Sequence, residues 1–452
     1  TGVMYGTATP YRDVAELEPG SWLAIDCATR ERRARRWFSL AEAGSGLAPF
    51  ADETEALERV ESALAAAVRR SLLASDLEVG AFLSGGIDSG LVCALAAREV
   101  DSLATFTVAF DGLFDESPLA RAVAERHGTR HHVLEVDFST LPDDIDAIVA
   151  NYGEPVGDSS IVPTWYVSRA AREHVTVVLT GDGADEQFGG YRRHVPYAHV
   201  DLFAPEAGGG RAFGRLVAAL PAPARKQSAY NYGYRLAKLL SRRGLARYLA
   251  STTDVDEAIL CAPAPWPAMR EAHERLAASG RSGLGKLMAM DGEALLSAGY
   301  LPKIDIGSMA HSLETRSPFL SREVIEAAAR LPDAMKIRGR ETKHVLRRIA
   351  ARHLPDPVRR APKRGFETPL VDWVDGRLGS SIGDRLSPAN AWVRRFCADG
   401  AVDALLDGRS GHPPLQRAGL LWMLFCTETW HVSNRDGRRP AGRRSAARRA
   451  AG

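Results

Sequence analysis

Paired cysteine is missing from this sequence. Five cysteines, Cys27, Cys93, Cys261, Cys397 and Cys426, are scattered along 452 residues; the count is odd and no two stand as C-x-x-C. That excludes a disulfide framework and a zinc ribbon, and makes a reducing cytoplasm the expected setting. Long apolar runs are missing too. The best candidate, Gly419 to Cys426, has eight residues, far short of the ~18–20 that span a bilayer. Neither sign of charge dominates: Lys plus Arg is 58, Asp plus Glu is 56, and the net is +2. No bulk field draws such a chain to nucleic acid or to a membrane surface. Thr1 to Ala8 has no basic segment followed by an apolar one, so no secretory signal is read there. No Met precedes Thr1, and the chain is taken as a fragment, a processed form or a piece of something longer. No internal repeat is visible.

What is present is ordinary globular material, 45% hydrophobic and 25% charged over 48.9 kDa. Whole-chain disorder is excluded, because this apolar content can offset chain entropy. The length suits two or three domains, or one large α/β domain with an appendage.

Residues 1–50 are rich in turn residues and read as a connector, with a short strand at Ser21 to Asp26 and extended chain at Arg36 to Leu40. The charge run Arg30 to Arg36 reads as a solvated hairpin. Leu57, Val60, Leu64, Ala67 and Val68 recur at helical spacing within Asp52 to Ala74. Strands are then expected at Leu77 to Leu83, Leu103 to Phe110, His132 to Val136 and Val175 to Thr180, alternating with helices. Such alternation predicts a parallel, doubly wound α/β sheet, with ligands at the carboxyl ends of its strands. Beyond about residue 195 the strand signal vanishes. Residues 205–224 read as loop, and the remainder to about 432 as helices broken by proline clusters. The tail Arg435 to Gly452 carries seven Arg against one Asp and reads as a solvated, disordered segment rather than a nucleic-acid arm.

Two turns carry the chemistry. The strand Leu77 to Leu83 runs into Ser84-Gly85-Gly86-Ile87-Asp88-Ser89. Adjacent glycines let backbone approach a ligand closely. Free N–H groups of the turn and the helix start then point at an anion. Asp88 beside a phosphate is repulsive unless a cation lies between them, and Mg²⁺ resolves the conflict; the bland alternative is that Asp88 only caps the helix. The strand Val175 to Thr180 ends in Gly181-Asp182-Gly183-Ala184-Asp185-Glu186. A solvated acidic loop is the ordinary reading of that cluster. Its place after a buried strand favours another: Asp185 joins Asp88 as the metal pair and Asp182 is free for another task.

The string S-G-G-x-D-S after a strand resembles the PP-loop of ATP pyrophosphatases, which cleave ATP between the α- and β-phosphates. With Thr180-Gly-Asp182-Gly-Ala-Asp185-Glu-Gln-Phe-Gly-Gly-Tyr191 it is similar to glutamine-dependent asparagine synthetases. Further blocks agree, in the family's order: Gly153-Glu154-Pro155 with Asp158-Ser159-Ser160, Lys303-Ile-Asp305, Ser308 to Leu320, Gly339 to Leu346, and Lys363-Arg-Gly-Phe366 to Leu370. They span residues 77 to about 375 and so cover most of the chain.

The resemblance implies a Rossmann-like PP-loop sheet (adenine nucleotide α-hydrolase-like) with a helical C-terminal extension. The implied catalytic domain is 51–432, after a connector at 1–50 and before a basic tail at 433–452. It implies ATP and Mg²⁺ as cofactors. Aspartate, or a related acid, would be adenylated on its β-carboxylate, and ammonia would then attack to form asparagine. Leu83, Ser84, Gly85, Gly86, Asp88, Ser89 and Gly181 are implied to hold ATP and pyrophosphate, with Val108 beside the adenine. Asp88 and Asp185 are implied to hold Mg²⁺. Lys343 would neutralise charge as the phosphate departs, and Asp182 would deprotonate the incoming amine. Glu154, Asp158, Glu314 and Arg316 are expected to shape the substrate pocket, with a structural salt bridge as the competing reading of the last two. His311 is expected to be packed rather than catalytic.

The family's N-terminal glutaminase domain is not seen in this chain, so free ammonia or a separate glutaminase is the expected nitrogen source, and a homodimer is compatible with the pattern. Relatives that close β-lactams carry Tyr where Asp182 stands, which counts against that chemistry. Ribosomal-peptide cyclases and other adenylating amide synthetases, and a non-catalytic synthetase fragment, remain alternatives.

Overall fold

The computed structural model describes residues 2, 4–44, 46–109, 115–204, 211–220, 228–253, 257–262, 266–361 and 368–435. Phe110, the block Lys363 to Glu367, the stretches 205–210 and 221–227, and the tail 436–452 lie outside the described residues.

A hairpin comes first. β1 (Ser21–Ile25) and β2 (Arg32–Arg36) pair antiparallel, with Ser21 opposite Arg36 and Ile25 opposite Arg32. Strand therefore occupies the arginine run itself rather than Arg36 to Leu40. Asp26 explains the position of the turn: its Oδ1 accepts from the N–H groups of Ala28 at 3.0 Å and Thr29 at 2.7 Å, a local side-chain turn.

α1 (Glu53–Leu73) starts where Asp52 accepts from the Glu55 N–H at 2.8 Å. Its apolar stripe, including Leu57, Val60, Leu64 and Val68, is buried, as helical spacing requires. Next come β3 (Val79–Phe82), α2 (Ile87–Ala96), β4 (Ala104–Ala109), α3 (Ser117–His127) and β5 (Arg130–Glu135). α4 (Leu141–Asn151), α5 (Ile161–Ala171), β6 (Val177–Leu179) and α6 (Ala184–Phe188) follow. From Ile87 to Ala96 only Asp88 escapes full burial, so α2 is an interior helix with no polar stripe.

With β7 (Glu314–Arg316) the sheet order is β5-β4-β3-β6-β7, and every pairing is parallel. Its last strand corrects the expectation that strands end near residue 195. β7 (Glu314–Arg316) lies beside β6, with Val177 opposite Glu314 and Leu179 opposite Arg316. Three residues are too few to show a period-2 pattern in sequence. A second correction concerns 205–224. Arg211–Ala218 is helical and packs on the helix Ala229–Leu240; that contact outweighs the poor propensity of Gly214.

The chain leaves β3 towards β4 on one side and later returns to place β6 on the other. This makes a switch point at the carboxyl ends of β3 and β6, where open α/β sheets bind ligands. One core, under α1, α2 and the helix His344–His353, includes Leu64, Leu91, Phe188, Phe319 and Ile349. Another joins α4 and α5 to the C-terminal helices through Trp373, Trp422 and Phe425. The long helix Pro414–Arg435 packs on α4 and carries regular structure past residue 433. Among the described residues no helix is long and apolar enough to cross a membrane.

Candidate active site

The glycine turn is anchored at its start. Leu83 N–H donates to Phe106 O at 2.8 Å, and the Thr107 hydroxyl donates to Leu83 O. Val108, one residue further along β4, is half-buried at that strand's carboxyl end. Two serines stitch the turn. Ser84 Oγ and Ser89 Oγ share a hydrogen bond of 2.8 Å, Ser84 N–H donates to Ser89 Oγ at 3.1 Å, and Gly86 N–H donates to Ser84 Oγ at 3.2 Å. The helix N-cap is Gly86, with no side-chain cap bond. Asp88 is therefore not the cap, and the first N–H groups of α2 face the turn with no side-chain oxygen on them.

Asp88 is aimed elsewhere. Its Oδ2 accepts from Lys343 Nζ at 2.5 Å, and the same ammonium lies 2.6 Å from Asp185 Oδ1. Asp88 and Asp185, from the turns after β3 and β6, thus converge on one point. The Lys343 side chain is only 4% exposed, so these ion pairs are weakly screened. Lys343 reaches them from a left-handed backbone conformation, φ 55° and ψ 39°, as N-cap of His344–His353, an uncommon state for a non-glycine residue.

Glycines make the convergence sterically achievable. A Cβ on Gly181 would stand 2.8 Å from Ser89 N and 3.0 Å from the Asp88 Cβ, and one on Gly190 would collide with the Asp185 carboxylate and Lys343 Cε. The acidic loop is braced from behind. Tyr191 OH donates to Glu186 Oε1 at 2.5 Å, and buried Asp291 binds Arg193 at 2.7 and 2.8 Å and His194 at 2.7 Å. Burial, with Asp185 adding repulsion, pushes the Glu186 carboxyl up to about 7.

An open cleft lies over the turn, lined by Ser84 to Asp88, Glu116, Thr342, Lys343, Arg347, Val358 and Ala361. The structure therefore brings the glycine turn, Asp88, Asp185 and Lys343 together. Gly181 packs on Asp88, and Asp182 is half-buried in the same turn, one residue on. Two residues went unnoticed in the sequence. Arg347 is one helical turn beyond Lys343, a spacing that could have revealed it; Glu116 carries no such signal.

The expected substrate-pocket residues divide. Asp158 Oδ1 accepts from Ser160 N–H at 2.9 Å and Ser160 Oγ at 2.8 Å, and its Oδ2 lies 3.6 Å from Lys303 Nζ. Glu154 is half-buried. Burial, with Glu16 adding repulsion, pushes its carboxyl up to about 7, and the neighbouring Gly153 O accepts from Trp430 Nε1 at 2.9 Å. Glu314 and Arg316 form the salt bridge that was their competing reading. Arg316 Nε donates to Glu314 Oε1 at 2.7 Å, and its Nη1 and Nη2 donate to Ser71 O at 2.6 Å and Ala74 O at 3.3 Å. The pair ties β7 to the carboxyl end of α1, where a cation satisfies carbonyls the helix leaves open. His311 is packed edge-on against Trp165 at 4.5 Å, and burial lowers its pKa to about 4.

The donor set fits Mg²⁺. Asp88 and Asp185 supply hard oxygens, and Asp88 Oδ1 is buried with no hydrogen-bond partner. No cluster of three or more protein metal ligands occurs among the described residues. Mg²⁺ habitually takes one or two carboxylates plus substrate phosphates.

The chain is similar to several known proteins. A putative asparagine synthetase [glutamine-hydrolyzing] of Mycobacterium tuberculosis is 32% identical over 94% of this chain and 65% of its own length. Asparagine synthetase [glutamine-hydrolyzing] 1 of Bacillus subtilis is 29% identical over 74% of this chain and 51% of its own. Amidase chry2 of Gibberella zeae is 24% identical over 89% of this chain and 65% of its own. The chain thus spans 65% or less of these relatives' lengths. The asparagine synthase profile matches residues 59–432, and on that match the chain belongs to the asparagine synthase family.

Proposed function

We propose that residues 51–432 form an ATP-dependent amide-forming ligase, with 1–50 as its connector and 433–452 as a solvated tail. The acid is the β-carboxylate of aspartate and the nitrogen source is ammonia. A carboxylate oxygen attacks the α-phosphorus of ATP and the bond to the β-phosphate breaks. Pyrophosphate leaves and β-aspartyl-AMP remains. Ammonia then attacks the acyl carbon, AMP departs, and the cationic nitrogen loses a proton to give asparagine.

The observation that carries this reading is the meeting of Asp88 and Asp185 beside an uncapped glycine turn. The turn's N–H groups and the start of α2 hold the leaving diphosphate. Asp88 and Asp185 are the residues that would hold Mg²⁺, which neutralises phosphate oxygens when bound. Lys343 adds positive charge where the departing oxygens gather negative charge. Asp182 accepts the proton from the attacking amine, and Asp158 lies in the substrate pocket. Val108 stands beside the adenine.

The test is direct. Incubation with ATP, Mg²⁺, aspartate and NH₄⁺ yields AMP, pyrophosphate and asparagine in equal amounts; ADP and phosphate as products would overturn the mechanism. Repeating the assay with glutamine in place of NH₄⁺ shows whether a glutamine-hydrolysing unit must supply the ammonia. The amidase-named relative favours one second reading, the same adenylation on a different carboxylate. Exchange of labelled pyrophosphate into ATP, driven by another acid and not by aspartate, would establish it.

A further inference from the structure

The cleft over the glycine turn gathers carboxylates around Lys343. Lys343 has one positive charge and faces two aspartates, Asp88 and Asp185, at 2.5 and 2.6 Å. Glu116 stands in the wall as well. A diphosphate entering this cleft brings further negative charge, and Lys343 is already engaged with carboxylates.

Arg347 is the other cation among the described residues of the lining. Among the described residues it stands in no ion pair. Its Nε donates to Thr342 O at 2.9 Å and its Nη1 donates to Arg359 O at 2.8 Å. These carbonyls belong to two segments of the cleft wall. One is the turn that places Lys343 in its left-handed conformation; the other is the helix Asp356–Arg360. Two of the guanidinium's three nitrogens are thereby fixed, and among the described residues Nη2 makes no hydrogen bond. A guanidinium with a rigid fork and a spare N–H pair is suited to a phosphate.

We propose that Arg347 is a second anchor for the diphosphate, holding the Lys343 turn in place with Nε and Nη1 and offering Nη2 to a phosphate oxygen. The proposal rests on reading the glycine turn as a diphosphate site. Lys343 then compensates the two aspartates, and Arg347 adds to its positive charge at the leaving group. Both functions arise from one helical turn, since residues four apart lie on one face of His344–His353.

Calorimetric titration with inorganic pyrophosphate in Mg²⁺ tests this on the full chain, with steady-state kinetics alongside. Arg347→Met should weaken pyrophosphate roughly 10- to 100-fold, the loss expected for one charge-assisted bond. It should raise KM for ATP and leave KM for aspartate unchanged. Arg347→Lys keeps the charge but cannot bridge both carbonyls. It should recover part of the pyrophosphate affinity while kcat stays low. Pyrophosphate binding by Arg347→Met at wild-type strength would overturn the proposal. If a melting curve shows that variant unfolded, Arg347→Lys alone decides: wild-type kcat in it would remove the anchoring role. Pyrophosphate binding without asparagine synthesis would sink the proposed substrate and leave Arg347 standing. A wild-type chain that binds no pyrophosphate would sink both.

Discussion

Lys343 Nζ stands 2.5 Å from Asp88 Oδ2 across 255 residues of sequence. The contact joins the N-cap of a C-terminal helix to the first turn of α2, and its lysine side chain is 4% exposed. Ions so buried are stable only in company, because desolvation disfavours each alone. Lys343 is thus both a candidate catalytic group and the counter-ion that keeps two carboxylates adjacent.

Removing that counter-ion should be costly. Lys343→Met takes the ammonium from between Asp88 and Asp185, and breaking such a pair typically costs about 3–5 kcal/mol. We expect a lower denaturation midpoint and no turnover, with added Mg²⁺ restoring part of the midpoint. A midpoint equal to wild type would show that the ion pairs contribute nothing to folding.

Asp88→Asn and Asp185→Asn should behave differently. Each keeps its shape and relieves like-charge repulsion, so the fold should survive with its circular dichroism unchanged. Turnover should fall by about 10²-fold or more, the scale of losing one preorganised electrostatic contact. Normal AMP release in either variant would refute the metal assignment.

Gly190→Ala probes the site without touching a charge. Its methyl group would occupy the space of the Asp185 carboxylate and Lys343 Cε. Activity should be lost along with stability. A variant that melts and turns over like wild type would mean that the convergence is not sterically enforced.

Arg316→Ala separates structure from catalysis. Its guanidinium satisfies Ser71 O and Ala74 O at the end of α1. We expect a loss of about 1–3 kcal/mol, the cost of stranding such acceptors, with KM for aspartate unchanged. A raised KM at full stability would return Arg316 to the substrate pocket.

Glu154 should give stability a pH slope. Its pKa rises from 4.5 to about 7 through burial and the nearby Glu16. The folded state then holds a proton that the unfolded state releases, so stability falls as pH rises from about 4.5 to about 7. Glu186, raised to about 7 as well, adds to the same slope, so Glu154→Gln should reduce it without abolishing it in urea titrations across this range.

The two signature turns were legible because their chemistry is local. Ser84 to Ser89 and Gly181 to Glu186 each combine glycine freedom with oxygen donors a few residues apart. The strands before them announced themselves by β-branched and apolar runs. β7 did not, because three residues carry no period. Lys343 stood out only through resemblance to a family, since an isolated lysine at a helix start has no chemical signature. The brace of Glu186, Tyr191, Arg193 and Asp291 was invisible: its members come from segments about a hundred residues apart.

Composition and motif were sufficient for the class of fold, the anion turn and the acidic loop, since each depends on neighbours along the chain. Which charges meet was set by strand order. Only because β6 lies directly beside β3 do Asp88 and Asp185 reach the same ammonium. That adjacency comes from long-range packing of α1, α2 and the helix carrying Lys343 around one core, and no short window of sequence encodes it.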